Sequence, residues 1–151
     1  MRIDIGVDLH KTQFTVYTQR GEKSGVNGQY PTTEEGYVTF LRKIGKWKRS
    51  GHDIRIGVES TGNTRYFKHR MEEKGYSVIV INTMKFKVIN ESVKKTDKHD
   101  AATIAEFLAK DMLPESKLCS EDSEQLRRLL KVRSTLVRTR VTVKNQIHGL
   151  L

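Results

Sequence analysis

Cysteine is nearly absent from this chain: Cys119 stands alone. A lone thiol excludes an internal disulfide and any cysteine-built zinc cluster, and Cys119 reads as incidental. Long apolar runs are also missing. None approaches the ~20 residues that cross a bilayer, so no membrane partner is expected. The opening "MRIDIGVDLHKT" is no secretory leader, because Asp4 and Asp8 break its short apolar stretch. It reads as a mature cytoplasmic start. Acid is scarce relative to base. With Lys+Arg 28 against Asp+Glu 18, the net charge is +10 and the sequence pI about 9.8, an excess that favours a polyanionic partner, most often nucleic acid. Repeats and low-complexity tracts are absent as well. What is there is ordinary: hydrophobic content of 36% and mean hydropathy of -0.59 suit a soluble globular protein. A length of 151 residues allows one cored domain plus an appendage.

Period-two alternation marks the first strands. In "RIDIGVD", Ile3, Ile5 and Val7 alternate with Arg2, Asp4 and Gly6. "QFTVYT" continues with β-favouring residues, and "VNGQYP" predicts a third strand after the turn "RGEKSG", together an antiparallel meander. The period then changes. "TTEEGYVTFLRKIGKW" offers Thr32 or Thr33 as N-cap, with Tyr37, Phe40, Leu41 and Ile44 at helical spacing. "DIRIGVE" (53–59) is a fourth strand, "TRYFKHRMEEKG" a helix closing at Gly75, and "YSVIVIN" a continuous apolar strand covered on both faces. A helix follows over about 83–91, then "AATIAEFLAKDM", ended by Pro114. The order β-β-β-α-β-α-β-α-α is an α/β layout and matches the ribonuclease-H-like order. "PESKLCSED" (114–122) reads as a linker. From Ser123, a candidate N-cap, a long amphipathic helix carries Leu126, Leu129, Leu130, Leu136, Val137, Val141, Ile147 and Leu151 as one stripe. Arg127, Arg128, Lys131, Arg133, Arg138, Arg140 and Lys144 cover the remainder. From 122 onward these seven bases face two acids, Asp122 and Glu124, so +5 of the +10 lies there. The closing Leu150-Leu151 predicts that the natural protein continues.

Four carboxylates stand out from surface charge. Asp8 shares a strand face with Asp4 and Gly6, where an acid is disfavoured unless solvated, paired or metal-bound. Glu59 ends an apolar strand, at the carboxyl edge where ligands gather in open α/β sheets, or simply meets water there. Asp97 and Asp100, in "KKTDKHDAATIAEFL", share a face of an incipient helix. They suit an N-cap and the acidic third position of a capping box. Capping and cation binding are compatible, because a carboxylate can cap with one oxygen and offer the other. Taken together, the four form a hard-oxygen set suited to Mg²⁺. Two such ions can activate an attacking oxygen and stabilise the leaving oxygen of a phosphodiester. Acids so clustered would repel without cations between them.

"IGVDLHKTQFTVYT", "GVESTGN" and "KTDKHDAATIAEFL" together resemble the N-terminal domain of the DEDD insertion-sequence transposases, the family of the Piv-type DNA invertases, itself similar to the RuvC resolvase. The resemblance covers essentially the whole chain, and Asp8, Glu59, Asp97 and Asp100 match the four acidic positions. It implies a RuvC-like, ribonuclease-H-like mixed sheet with flanking helices over 1–113, a linker over 114–122, and a basic connector helix over 123–151. It further implies two Mg²⁺ or Mn²⁺ ions and cleavage and transfer of DNA strands. A second domain with a catalytic serine would lie beyond this chain. Family members also associate with a structured guide RNA.

Smaller candidates have local explanations beside functional ones. Lys11 and Thr12 offer a phosphate contact or a hairpin turn. Thr61 and Gly62 leave room for DNA or make a tight turn. His10 and His99 lie near the proposed acids, and Lys94, Lys95 and Lys98 bind phosphate or offset them. Trp47 and Tyr66 read as packed helix residues. The final helix suits nucleic acid on its basic face and a second copy of the chain on its apolar face. Two other classes compete. A non-catalytic nucleic-acid-binding module would use the acids only as caps and surface charge. An actin-like phosphotransferase would need glycines where "DLHKT" has His10 and Lys11.

Overall fold

The N-terminal alternation becomes β1 (Arg2–Leu9), which turns into β2 (Gln13–Arg20) and β3 (Lys23–Pro31) as an antiparallel meander. After helix α1 (Glu34–Arg49), β4 (Asp53–Glu59) pairs parallel to β1. Helix α2 (Thr64–Glu72) then leads to β5 (Ser77–Ile81), parallel to β4. Helices α3 (Thr83–Ile89), α4 (Asp97–Ala109) and α5 (Glu121–His148) follow. The computed structural model describes residues 1–21, 23–89 and 97–150, with the backbone alone at 23, 24, 26, 27, 87–89 and 97–99. The strand order β3-β2-β1-β4-β5, with its antiparallel meander and parallel crossovers, is the ribonuclease-H-like mixed sheet expected from the sequence.

Strand parity divides the sheet into two unlike faces. Ile3, Ile5, Val7 and Leu9 share one face with Phe14 and Val16 of β2 and with Ile54, Ile56 and Val58 of β4, all buried. Helices α1 and α2 cover it. Thr33 caps α1 by accepting from the Gly36 amide at 3.3 Å, and Tyr37, Phe40 and Ile44 then turn inward. Phe14 lies at the centre, its ring centroid 5.3 Å from Tyr37, 5.5 Å from Phe40 and 5.7 Å from Phe67. These spacings are those of favourable stacked and edge-on aromatic pairs.

The opposite face carries Asp4, Gly6 and Asp8 on β1 and Arg55, Gly57 and Glu59 on β4. Helix α4 lies on it, and Ile104 packs with Ile81 and Phe86, flanked by Phe107 and Leu113. The apolar run of β5 is thus covered on both faces although it is an edge strand. Segment 114–116, read from sequence as linker, runs beside it: the Ser116 amide donates to Val80 O at 2.7 Å and the Asn82 amide to Pro114 O at 2.8 Å.

The chain divides into two compact units, Met1–Lys117 and Leu118–Leu151. In the second, Ser120 is the N-cap of α5, its hydroxyl accepting from the Ser123 amide at 3.3 Å. The helix therefore begins earlier than expected, with Ser123 inside its first turn, where Glu121, Asp122 and Glu124 favour the positive end of the dipole. Every residue of α5 except Glu124 is exposed, the leucine stripe included. No described helix is long and apolar enough to cross a membrane.

Candidate functional site

Register brings the first two acids together. In the β1–β4 ladder Val7 lies opposite Val58, so Asp8 and Glu59 are the next residues of adjacent parallel strands and point to the same face. Both strands end there. Asp8 is 5% exposed and Glu59 half-buried. His10 follows in the β1–β2 loop, its Nε2 3.0 Å from Asp8 Oδ2. Lys11 is exposed in the same loop, where its carbonyl accepts from the Thr32 hydroxyl at 2.7 Å. After Glu59 the chain turns tightly: the buried Thr64 hydroxyl donates to Glu59 O at 2.7 Å and accepts from the Thr61 amide at 2.7 Å. The turn that carries Gly62 is therefore held by threonines, and a methyl at Gly62 would meet nothing within 4 Å.

Two glycines admit α4 to this face. A methyl on Gly6 would lie 2.0 Å from Ala101 O and 2.5 Å from Ala105 N, so the helix backbone touches β1 where a side chain would stand. On β4, a methyl on Gly57 would lie 3.0 Å from both Ile104 Cγ2 and Leu113 Cδ1. At the other end of α4, Arg55 Nη2 donates to Leu108 O at 2.6 Å, and Arg2 Nη2 donates to Ala109 O. The helix thus runs antiparallel to β1. Its carboxyl end is tied near Asp4, and its amino end, with Asp97 and Asp100, points to the strand ends that carry Asp8 and Glu59.

The tie at the carboxyl end is an ionic clasp that sequence reading missed. Asp4, 4% exposed, accepts from Arg55 Nε at 2.9 Å and from Arg2 Nε at 3.2 Å. Arg55 also donates to Asp111, which Arg2 Nη1 reaches at 3.3 Å. Burial would lower the Arg55 guanidinium, but its bonds to Asp111 and Asp4 outweigh that and raise it. The Arg55 hydrogen bond likewise holds the Asp111 carboxyl below its usual range. Asp111 takes φ 55, a left-handed conformation that an aspartate tolerates as the helix turns away. The alternation of Asp4 with Asp8 was visible in the sequence. What selected Arg55 as its partner was the β1–β4 register, where Asp4 lies opposite Arg55.

The remaining candidates are less fully placed. Asp97 opens α4 and Asp100 is half-buried in its first turn. The side chains of Asp97, Lys98 and His99 lie outside the described residues, as do Lys94 and Lys95 and any residue capping α4 from position 96. Among the described residues, no group of three or more His, Cys, Asp or Glu is arranged to hold a metal ion. Arg127, Arg128, Lys131, Arg133, Arg138, Arg140 and Lys144 are exposed on α5, and Arg128 pairs with Glu124 at 2.6 Å. Tyr66 packs edge-on to Tyr37 at 5.5 Å, whereas Trp47 lies under Arg20.

The fold and this edge define a ribonuclease-H-like domain with paired acids at the carboxyl ends of its two central parallel strands. The IS110-type DEDD family model, described as a transposase, matches residues 5–151, and the chain belongs to that family. It is 26% identical over 153 residues to the transposase for insertion sequence element IS1328 of Yersinia enterocolitica, covering 97% of this chain and 41% of that protein. It is 29% identical over 98 residues to a probable family 20 transposase of Pseudomonas aeruginosa, covering 64% of this chain and 28% of that protein. The chain thus spans less than half the length of these relatives. It is also similar to T. thermophilus RuvC solved in complex with a Holliday junction substrate, at a TM-score of 0.48 and 13% identity, over 77% of this chain and 100% of that one.

Proposed function

We propose that residues 1–113 are the metal-dependent catalytic domain of a DNA transposase, with Asp8, Glu59, Asp97 and Asp100 as the ligands of two Mg²⁺ or Mn²⁺ ions. One observation carries the reading: Asp8 and Glu59 each directly follow the Val7–Val58 pair at the ends of adjacent strands, with the amino end of α4 directed to the same edge. The donor set fits the ions, since ionised carboxylates are acceptor-only hard oxygens. When bound, such ions activate an attacking oxygen and stabilise a leaving one in phosphodiester exchange. The chain's own residues supply geometry. Burial and the pairing with Thr15 of β2 fix Asp8, and His10 Nε2 lies 3.0 Å from its Oδ2. The Thr64 hydroxyl on Glu59 O fixes the end of β4. The glycine seat and the Arg55 clasp set the depth of α4, and with it Asp97 and Asp100. The amino end of α4 also favours carboxylates through its dipole, so capping and metal binding reinforce each other.

DNA is the substrate in this reading. Lys11, Lys94, Lys95 and Lys98 contact its phosphates, and the basic face of α5 contacts DNA or a guide RNA. The apolar stripe of α5 pairs with a second copy. Calorimetric titration of the chain with Mn²⁺ tests the centre: binding is expected, and Asp8→Asn and Glu59→Gln should each abolish it. Equal binding by both variants would overturn the assignment. No binding by the unmodified chain would favour a nucleic-acid module whose acids only cap and solvate.

A further inference from the structure

The second half of α1 carries an uncompensated row of positive charge. Arg42, Lys43, Lys46, Lys48 and Arg49 fall within one stretch that contains no acid, while the helix's acids, Glu34 and Glu35, sit in its first turn. Two of these cations have local work. Lys48 Nζ donates to Lys74 O at 3.0 Å and Gly75 O at 2.8 Å, drawing the α2–β5 turn onto α1. Lys43 lies 5.9 Å from the Trp47 ring centre. Arg42, Lys46 and Arg49 do neither. They are exposed, at helical positions i, i+4 and i+7, and form no ion pair or side-chain hydrogen bond among the described residues. Cations in the last turn favour the helix dipole, which accounts for Lys46, Lys48 and Arg49 but not for Arg42 one turn earlier.

The α2–β5 turn brings charge to the same ridge. Lys74, from the α2–β5 turn, lines with Arg49, Lys48, Leu41, Gly45 and Tyr76 a hollow of about 290 Å³. Tyr76, 7% exposed, forms part of its wall, with its hydroxyl 3.7 Å from where a methyl on Gly45 would stand. The hollow therefore offers two exposed cations and a phenol where a side chain is missing, and the ridge extends it by about 10 Å along α1.

We infer that this ridge and hollow form a second docking site for the phosphodiester backbone of a nucleic acid, separate from the acidic edge. A phosphate enters the hollow against Arg49, Lys74 and the Tyr76 hydroxyl, and Lys46 and Arg42 take neighbouring phosphates. The length of the ridge selects a polyanion over a single phosphate. Lys48 Nζ lies 4.7 Å over the Tyr76 ring, which is buried, so the ring of the hollow is closed to base stacking and backbone rather than bases is recognised. The site opens beside the starts of β4 and β5, whereas Asp8 and Glu59 lie at the strand ends, about 20 Å away along the sheet. Its use is independent of whether the acids bind metal.

Titration with a labelled 20-base-pair duplex, as DNA and separately as RNA, should raise its anisotropy, and added salt should reverse the rise. The duplex that binds tighter identifies the partner. In Arg42→Gln/Lys46→Gln/Arg49→Gln, the slope of log affinity against log salt should flatten by about 2 to 3 for DNA, and affinity should fall at least tenfold. Mn²⁺ binding by that variant should be unchanged, which separates this site from the acidic edge. An unaltered affinity or an unaltered salt slope in the variant would overturn the proposal. So would the absence of binding by either duplex.

Discussion

Replacing Gly6 by alanine tests the seating of α4 directly. The added methyl would lie 2.0 Å from Ala101 O and 2.5 Å from Ala105 N, both backbone atoms that no rotamer change can move aside. The helix must retreat by about 1 Å or more to restore contact distance. Its far end is held by Arg55 and Arg2 on Leu108 O and Ala109 O, so the retreat is a tilt about that end. At 1.5 Å per residue, the contact lies about 9 Å from the pivot, Asp100 about 13 Å and Asp97 about 18 Å. A 1 Å lift therefore displaces Asp100 by about 1.5 Å and Asp97 by about 2 Å, well beyond the tolerance of a metal ligand of about 0.2 Å. Overpacking of this kind costs about 3 kcal/mol, the upper end of its usual range. For a body of this size that lowers Tm by about 10 °C. Gly57→Ala is the control, because the methyl meets side-chain atoms alone, Ile104 Cγ2 and Leu113 Cδ1 at 3.0 Å and Leu108 Cδ2 at 3.5 Å, and side chains can yield. It should cost about 1 kcal/mol. Calorimetric melts and Mn²⁺ titrations of both variants decide the matter. Should Gly6→Ala melt no lower than Gly57→Ala, or keep full Mn²⁺ affinity, the seating described here is wrong.

Other perturbations separate the clasp from the core. Arg55→Leu leaves the buried Asp4 with Arg2 alone and strips a donor from Leu108 O, at an expected cost of about 3 kcal/mol in urea unfolding. Arg55→Lys should recover little of it, since one ammonium cannot serve Asp4, Asp111 and Leu108 O together. Asp111 is held below its ordinary value of 3.8 by Arg55, so its contribution is fully present above that pH and fades as pH falls through the lower folded value. Urea midpoints should therefore decline below about pH 4, and less steeply in Asp111→Asn. Tyr37 behaves in the opposite sense. Burial, aided by Tyr66, pushes its phenol from 10.0 up to about 12, so stability falls as pH rises from 10 toward 12. Burial raises Tyr76 as well, so in tyrosinate absorbance two phenols should titrate late, Tyr37 the later, and Tyr37→Phe should remove that last step.

Much of the fold was legible because its signals are local. Alternation through Ile3, Ile5 and Val7, and helical spacing through Tyr37, Phe40 and Ile44, are properties of neighbouring residues. They placed β1, β2, β4 and α1 to within about two residues, whereas β3 begins at Lys23, inside the segment read as a turn. Ends were less secure. Ser120 and Ser123 are both adequate caps, and only the geometry shows that Ser120 accepts the amide of the other. The acids at positions 8 and 59 stood out as unlikely strand residues, but nothing local distinguished Asp4 from them, although it serves an ionic clasp.

By itself the sequence determined which residues form strands and helices, the excess of positive charge, and which side of β1 carries Asp4, Gly6 and Asp8, since each follows from spacing along the chain. Tertiary structure alone decided that Val7 lies opposite Val58, setting Asp8 beside Glu59, that Asp4 falls to Arg55, and that α4 rests on Gly6. Those outcomes depend on register and close packing between segments some fifty to a hundred residues apart. No pattern within any one segment encodes them, because register is fixed only when both partners and the helix above them pack together.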